Sequence, residues 1–374
     1  MDKIFVKIIK YTLLFLLIFI KNSYAQSLET ILKNSESELI SYVYGNQEKF
    51  EVQIILTELK KRGKSFTIHK KKFNSDKNNY FYPASSIKLP IALLTIEKIN
   101  ESSDLNINSE FSIQGDSIIT TFKKEITDLF IISSNESYNR LFEFLGQDYI
   151  NEKLKQKGFK DFSISHRLST KDSDNLETKE ITFYSNGEIL KIQKSIKNKP
   201  VSKLNLKNLN KGIGFISNNK LQNKPMDFSR KNYFSINELN NILICLFFPE
   251  ISKNKKFYLS KLQNLLIQKL MSSTPFEMGF DKNMYPNNYN KFFIYGDKNG
   301  MINDNIFNKV GNAYGYSIDN AYIYNKNSDR HFVLTACIYT NANNILNDNN
   351  YEYDEIGIPF LAEIGRLLTK YDIR

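Results

Sequence analysis

Six residues of this chain have the types and the order that covalent catalysis by a serine hydroxyl requires. In chain order they are Ser85, Lys88, Ser133, Asn135, Lys309 and Gly311. A serine hydroxyl is too weakly acidic to attack an amide unaided, so it needs an adjacent base. A lysine amine can be that base only when burial or another cation lowers its pKa. Each short motif also recurs elsewhere in this lysine-rich sequence, so the prediction depends on their order and context.

Ser85 and Lys88 lie where a helix is expected to begin. Ser85 follows Pro83-Ala84, which suits an extended approach, and it precedes the apolar run from Leu89 to Leu94. Residues three apart on a first turn share a face, so the Lys88 amine can reach the Ser85 hydroxyl. Helix N-terminal amides favour the negative charge of an alkoxide or a tetrahedral oxyanion. Taken alone, however, the pair is more typical of an ordinary cap beside a solvated lysine.

Ser133 and Asn135 fall at a break between two helical patterns, where short polar residues are commonly caps or turns. In a cleft, the Ser133 hydroxyl can pass a proton to a leaving group. The Asn135 amide can orient both Lys88 and an amide of the substrate. We therefore predict a catalytic role for Ser133 and a substrate-binding role for Asn135.

The segment Lys309-Val310-Gly311 is predicted to be an edge strand whose glycine lets a substrate approach the backbone. Lys309 would face a substrate carboxylate, and its charge would lower the pKa of Lys88. The backbone amides of Asn312 and Ser85 are the predicted oxyanion hole. For this motif alone, a lysine in a turn is the simpler interpretation.

Composition and charge exclude several other classes of function. The formal charge is +11, and the first 25 residues hold four lysines and one aspartate, which leaves about +8 on the rest. No arginine-rich patch accompanies this charge, so nucleic-acid binding is disfavoured. Cys245 and Cys337 lie in apolar runs typical of buried thiols, and a disulfide is possible but not indicated. The three histidines lack metal-ligand spacing, so we predict neither a metal nor a cofactor.

The N-terminus is typical of a signal peptide. Lys3, Lys7 and Lys10 precede an apolar run over 11–20, and Ser23-Tyr24-Ala25 offers a cleavage site of small residues. A retained anchor is the weaker interpretation, because a spanning helix needs about 20 apolar residues. We predict a signal peptide over 1–25 and an exported chain, periplasmic or secreted, with no stable membrane anchor after cleavage.

The rest of the chain, 26–374, is predicted to form one α/β domain with two lobes. The patterns predict a hairpin over 52–59 and 66–70, strands over 320–324 and 331–339, and a closing helix over 356–368. These elements define an α/β lobe from about 26–80 and 300–374, in which strands from both ends of the chain share a sheet.

Between these ends lies a mainly helical lobe, from about 85 to 300. Its predicted helices cover 89–99, 126–132, 138–145 and 149–157, and Ser235 with Glu238 predicts a capping box ahead of a further helix. An insertion near 181–234 contains a hairpin turn at Asn186-Gly187 and is otherwise polar. We interpret it as a surface insertion.

At the motif residues the chain resembles the serine β-lactamase and penicillin-binding protein superfamily, most closely class A β-lactamases. Their Ser-x-x-Lys, Ser-Asp-Asn and Lys-Thr-Gly elements occur in this order. The flanks 81–90 and 133–145 look like the family's nucleophile helix and second motif. The resemblance implies an antiparallel five-stranded sheet flanked by helices, a site between two lobes, acylation of Ser85 and no cofactor.

Three departures from the class A pattern limit what the resemblance implies. Ser169, in Arg167-Leu168-Ser169, occupies the position of the glutamate that activates the deacylating water. Asp172, Asp174 and Glu177 lie nearby but do not fall where the pattern asks. Val310 replaces a hydroxyl residue of the third motif, and Ser134 replaces the aspartate of the second.

The leading prediction is an exported serine hydrolase that opens a β-lactam or a related amide or ester through an acyl-Ser85 intermediate. One alternative is a penicillin-binding, D,D-peptidase-like enzyme that deacylates slowly. Another is a non-catalytic protein that binds cell-wall fragments on the same scaffold. The expected partner is a small-molecule or peptidoglycan-derived substrate, and the sequence leaves the natural substrate and the oligomeric state open.

Overall fold

The computed structural model describes residues 26–63, 65–252, 255–286, 289–294 and 304–370. The predicted signal peptide, 1–25, lies outside these residues. Among the residues that are described, no helix has both the length and the apolar character needed to cross a membrane.

A five-stranded antiparallel sheet joins the two ends of the chain, as predicted. Its strands, in spatial order, are β13 (Asp304–Ala313), β14 (Tyr316–Asn325), β15 (Arg330–Tyr339), β1 (Gln53–Arg62) and β2 (Ser65–Phe73). In the centre of the sheet, Ile54 pairs with Ala336. The strand that carries Lys309 lies at one edge, which confirms the predicted edge strand.

Both faces of this sheet are covered, so its central strands read as nearly continuous apolar runs. Ile54 and Leu56 pack with the terminal helices, whereas the alternate residue Ile55 packs with the helical lobe. The terminal helices are α1 (Leu28–Lys33), α2 (Glu38–Gly45) and α9 (Ile358–Lys370). The predicted closing helix is therefore confirmed, with a single π-helical turn, Tyr353–Gly357, ahead of it.

The helical lobe contains the predicted helices with slightly longer bounds. These are α3 (Lys88–Asn100), α4 (Phe122–Ile131), α5 (Asn135–Leu145), α6 (Gln147–Gln156) and α7 (Ile236–Phe247). A further helix, α8 (Lys261–Ser272), was not predicted. Nearly every residue of α3 is buried, so this helix is the core of the lobe. Both cysteines are buried and free, in agreement with their interpretation as buried thiols.

One local prediction is only half right. The Ser235 hydroxyl caps α7 by accepting from the Glu238 amide at 3.2 Å. The Glu238 carboxylate does not return to the backbone of Ser235 but instead accepts from the backbone amide of Lys160 at 3.1 Å. This tertiary contact competes with the local one, whereas Ser260 and Gln263 form a complete capping box at α8.

The insertion is made of short strands and is not simply a surface excursion. These are β6 (Ile181–Ser185), β7 (Glu188–Gln193), β8 (Asn210–Lys211), β9 (Gly214–Ser217), β10 (Lys220–Gln222), β11 (Met226–Asp227) and β12 (Tyr233–Phe234). The β6–β7 hairpin turns at Asn186-Gly187, as predicted, and extends a sheet with β3 (Glu110–Ile113) and β4 (Thr120–Thr121). β12 pairs with β5 (Phe162–Ser163). β9 pairs in parallel with β16 (Ile345–Leu346), near the C-terminus, which ties the insertion to the α/β lobe.

Candidate active site

Ser85 lies in the wall of a cavity of about 470 Å³ between the two lobes. It belongs to a short 3-10 helix, Ala84–Ile87, that continues directly into α3. The predicted helix start is therefore a 3-10 turn. In such a turn residues i and i+3 are eclipsed, which puts the Lys88 side chain on the same edge as that of Ser85.

Lys88 is completely buried, and its side-chain nitrogen contacts three oxygen atoms of the second motif. Its Nζ donates to the Ser133 carbonyl and to Asn135 Oδ1 at 2.8 Å, and it lies 3.3 Å from the Ser133 hydroxyl oxygen. Burial, and secondly the charge of Lys309, hold the pKa of Lys88 well below its ordinary value. A neutral Lys88 amine is the base that a serine nucleophile requires.

Ser133 connects the two lysines of the site. Its backbone lies in the left-handed region, with φ +55°, at the break between α4 and α5. Such a conformation is uncommon for a residue other than glycine, and here it coincides with contacts of both the carbonyl and the hydroxyl to Lys88. Lys309 Nζ donates to the same hydroxyl at 2.8 Å, so Ser133 Oγ lies within reach of both amines.

Lys309 is buried on β13, and its charge is sensitive to pH. Its Nζ also donates to the Val310 carbonyl at 3.0 Å. Burial, and then the neighbouring Lys291, lower the pKa of Lys309 to about 7, while Asp319 acts in the opposite direction. The charge of this lysine is therefore expected to change near neutral pH.

Gly311 allows β13 to pass directly against the nucleophile. A Cβ atom at this position would lie 2.5 Å from the backbone nitrogen of Ser85 and 2.9 Å from the Ala84 Cβ. These separations are too short for any side chain. The next residue, Asn312, lines the cavity together with Ser85. The backbone amides of these two residues remain the predicted oxyanion hole.

The sequence profile of the β-lactamase enzyme family matches residues 36–371. The chain belongs to the β-lactamase enzyme family. A comparison with curated proteins finds no match.

Solved structures share the fold of this β-lactamase-family chain at low sequence identity. One is an acyl-enzyme complex of a PBP-A mutant with penicillin G, at 13% identity and a TM-score of 0.53, covering 92% of this chain and 96% of that one. A β-lactamase from Burkholderia ambifaria gives 10% identity and a TM-score of 0.54, covering 90% and 100%. The chromosome-encoded β-lactamase of Vibrio parahaemolyticus gives 11% and 0.51, covering 89% and 98%. These comparisons confirm the predicted sheet and flanking helices.

The loop after α6 brings Ser169 to the site of this β-lactamase-family chain, as its motif predicts. Asn135 Nδ2 donates to Ser169 Oγ at 2.9 Å. The preceding arginine, Arg167, is buried in a two-point pair with Glu143, at 2.5 and 2.9 Å. None of the described residues that line the cavity is an aspartate or a glutamate, so no carboxylate replaces the missing base there.

Two further charged residues lie behind the site and were not predicted. Lys291 is buried and donates to the Met271 carbonyl at 2.9 Å. Asp319 is buried on β14, where it accepts from Asn308 Nδ2 at 2.8 Å and from the Phe293 amide at 3.1 Å. Burial raises the pKa of Asp319 to about 6. An aspartate inside an apolar strand was the only sequence signal for this pair.

The structure thus brings together every residue that the motifs singled out. Ser85, Asn135 and Asn312 line the cavity, and Lys88, Ser133 and Lys309 form a hydrogen-bonded row of side chains beside it. Their catalytic and binding roles stay predictions. Within the described residues, no group of three or more His, Cys, Asp or Glu side chains is placed to hold a metal ion.

Proposed function

We propose that this chain is an exported serine hydrolase in which Ser85 is acylated by β-lactams and by a related amide derived from the cell wall. Its acyl-enzyme is hydrolysed slowly. The observation that carries the proposal is the buried Lys88 amine. It lies on the same helical edge as Ser85 and contacts Ser133 and Asn135.

In the acylation step, neutral Lys88 takes the proton from Ser85 Oγ as this oxygen attacks the substrate carbonyl. The amides of Ser85 and Asn312 stabilise the negative charge on the carbonyl oxygen. When the C–N bond breaks, the Ser133 hydroxyl donates its proton to the leaving nitrogen. The proton held by Lys88 then returns to Ser133 Oγ, which lies 3.3 Å away. The product is a Ser85 ester, and Lys88 is neutral again.

Deacylation requires a second base that can activate water. A serine hydroxyl at position 169 is a poor base at neutral pH, and the described lining of the cavity contains no carboxylate. This arrangement supports a penicillin-binding enzyme with a long-lived acyl intermediate over an efficient β-lactamase.

The test is intact-mass spectrometry of the chain from Gln26 onward, mixed with benzylpenicillin and, separately, with a chromogenic cephalosporin. We expect an adduct on Ser85 that persists for many minutes with little bulk turnover. A transient adduct with rapid turnover would instead identify an efficient β-lactamase. No adduct with either compound would favour another acyl substrate or the cell-wall-binding alternative.

Two variants assign the chemistry within this experiment. Ser85→Ala should abolish labelling because the nucleophile is gone. Lys88→Ala should slow it by about 10²-fold or more, because general-base assistance is typically worth that much. Labelling that is unchanged in either variant would overturn the assignment.

The natural substrate can be tested with a cell-wall pentapeptide that ends in D-alanine. A D,D-peptidase releases the terminal D-alanine, and the Ser85→Ala variant should not release it.

Export is a separate part of the proposal. Expression of the full chain should yield a processed protein that begins at Gln26 outside the cytoplasm, and recovery only in the membrane fraction would contradict it.

A further inference from the structure

The insertion contributes a cation to the cavity beside Ser85. Lys231, which precedes β12, lines this cavity together with Asn347, Asn349, Tyr351 and Tyr353. These last four residues follow β16, the strand that pairs with β9 of the insertion. One wall of the cavity is therefore built from the insertion and from the segment 347–353, and we call it the insertion wall.

Several contacts hold the insertion wall in place. The Ile213 amide donates to the Asn344 carbonyl at 2.8 Å. Gly212 lies so close to this carbonyl that a Cβ atom would be 2.5 Å from its oxygen. Further along the chain, the Asn347 side-chain amide donates to the Ile216 carbonyl at 3.3 Å. These contacts fix the insertion against the segment that follows β16.

A buried ion pair provides a second anchor. The Lys211 ammonium group lies 2.6 Å from both carboxylate oxygens of Glu51, and the Tyr316 hydroxyl donates to the same carboxylate at 2.6 Å. Lys211 is 4% exposed. The insertion is thus joined to the central sheet at β14 as well as to the segment after β16.

The insertion wall is rich in hydrogen-bond donors. The hydroxyl oxygen of Tyr351 accepts from the Asn347 amide at 2.7 Å, and that of Tyr353 accepts from the Gly315 amide at 2.8 Å. Because these oxygens act as acceptors, each hydroxyl keeps a hydrogen that it can donate. The side-chain amides of Asn312, Asn347 and Asn349 add donors around the same cavity.

Among the described lining residues, Lys231 is the one lysine and Arg167 the one arginine. Arg167 is committed to its buried pair with Glu143. Lys231 pairs with Asp174 at 3.8 Å, and the Asp174 side chain is 75% exposed. The Lys231 side chain is itself 20% exposed, but an ion pair at this distance with an exposed carboxylate is weak, so the Lys231 ammonium group can exchange it for a ligand.

We propose that the insertion wall is an anion-binding subsite in which Lys231 binds a second carboxylate of the substrate. This carboxylate belongs to the acyl part, because the cavity lies on the side of Asn135 and Ser169, whereas Lys309 is not among its lining residues. The inference rests on the proposed function and deepens it. The preferred substrate is an acyl donor with one acid group near Lys309 and another on its acyl side chain.

Benzylpenicillin and carbenicillin form a matched pair of probes, because they differ by one carboxylate on the acyl side chain. The measurement is the ratio of their second-order rate constants for acylation of Ser85, followed by intact mass. We expect Lys231→Gln to lower the ratio of carbenicillin to benzylpenicillin by about tenfold, as for the loss of one hydrogen bond to a charged group. Lys231→Glu should lower it further, and Lys231→Arg should restore it.

Two more variants control for indirect effects of charge. Asp174→Asn should raise the ratio, because it removes the carboxylate that competes for Lys231. Lys224→Gln removes an exposed positive charge from the same insertion but not from the lining of the cavity, so its ratio should match that of the wild type. A ratio that is unchanged in Lys231→Gln, while Ser85 is still labelled, would overturn the subsite.

The subsite can also be tested by binding alone, without acylation of Ser85. If neither penicillin labels Ser85, the proposed function fails, but binding can still be followed by thermal shift on the Ser85→Ala variant. A larger shift with carbenicillin than with benzylpenicillin, lost when Lys231→Gln is added, supports the subsite. Equal shifts with the two compounds, including no shift with either, contradict it.

Discussion

Lys309 makes acylation sensitive to pH at the scale of a single residue. Its pKa of about 7 results from burial and from Lys291. The second-order rate constant for acylation reports groups of the free enzyme. The Lys309 cation is lost as the pH rises through 7, and with it the charge that faces the substrate carboxylate and helps to keep Lys88 neutral. We therefore expect acylation by benzylpenicillin to fall between about pH 6 and pH 8.

The variant Lys309→Arg tests this assignment, because a guanidinium stays charged in proteins at any pH used here. In this variant the second-order rate constant for acylation should no longer decrease between about pH 6 and pH 8, whatever its absolute value. A fall that persists at the same pH would assign the titration to another group.

Ser169 limits the second half of the reaction. Its hydroxyl accepts from Asn135 at 2.9 Å, so a longer acidic side chain at this position would enter the site. We expect Ser169→Glu to shorten the lifetime of the penicillin adduct by about 10²-fold or more, because a carboxylate can serve as the general base for water. Asn175→Glu adds the same charge at an exposed residue of the same loop that does not line the cavity, and it is the matched control. Equal adduct lifetimes in Ser169→Glu and the wild type would show that the slow step has another cause.

The residues that perform the proposed chemistry were predictable, and those that tune it were not. Ser85, Lys88 and Ser133 stand out because their motifs occur in one order and in matching contexts, although each short motif recurs elsewhere in the chain. Lys231 and Lys291 are two of many lysines, and only long-range packing places one in the cavity and buries the other. No local pattern in the sequence marks such contacts.

At the scale of elements, the critical contact is between β13 and the 3-10 turn of Ser85. Gly311→Ala would place a Cβ atom 2.5 Å from the Ser85 nitrogen, so one of the two elements must move. A displacement of about 1 Å at a reacting group can cost 10²-fold in rate, and we expect acylation to fall by about that factor. The decisive measurement is the acylation rate constant, with the melting temperature recorded alongside.

Gly45→Ala serves as the control for this change, since a Cβ atom there meets nothing within 4 Å and α2 lies away from the cavity. Its acylation rate should match that of the wild type. If Gly311→Ala also acylates at the wild-type rate, the close approach of β13 does not matter for catalysis.

The predicted elements were right where the pattern is local and incomplete where pairing decides. The Asn186-Gly187 turn has both residues at positive φ, 52° and 82°, which the two residue types predict directly. By contrast, β1 continues to Arg62 because its polar end pairs with β2 through backbone hydrogen bonds. The pairing of β9 with β16 joins segments more than 100 residues apart, and neither strand has a distinctive sequence.

At the scale of the whole molecule, the site forms where the helical lobe meets the sheet. Ser85 and Lys88 come from one side, and Lys309 and Gly311 from the other. The two sides also meet at α7, through Asn240. Its side chain accepts from the Thr57 hydroxyl at 2.7 Å and donates to the Thr335 hydroxyl at 3.1 Å. A satisfied polar cluster of this kind specifies one register between the lobes, and this register sets the distance between the two site lysines.

The folding stability of the molecule should depend on pH through His166, which is 4% exposed in the cavity wall. Its Nδ1 lies 2.6 Å from the Arg167 carbonyl and so donates to it, while Nε2 has no hydrogen-bond partner among the described residues. Burial, and then the charge of Lys231, lower the pKa of His166 from 6.5 to about 4. The unfolded chain therefore binds a proton at a pH where the folded chain resists it.

The stability that this histidine contributes is fully present above about pH 6.5 and is lost as the pH falls towards 4, by at most about 3 kcal/mol. Asp319, with its pKa raised to about 6, acts in the opposite direction over part of this range, so each variant must be compared with the wild type. The measurement is the free energy of unfolding in urea at pH 7 and at pH 4.5. The loss between these values should be smaller in His166→Gln than in the wild type and unchanged in His69→Gln, whose side chain is exposed. Equal losses in His166→Gln and the wild type would mean that His166 takes up its proton as readily in the folded chain as in the unfolded one.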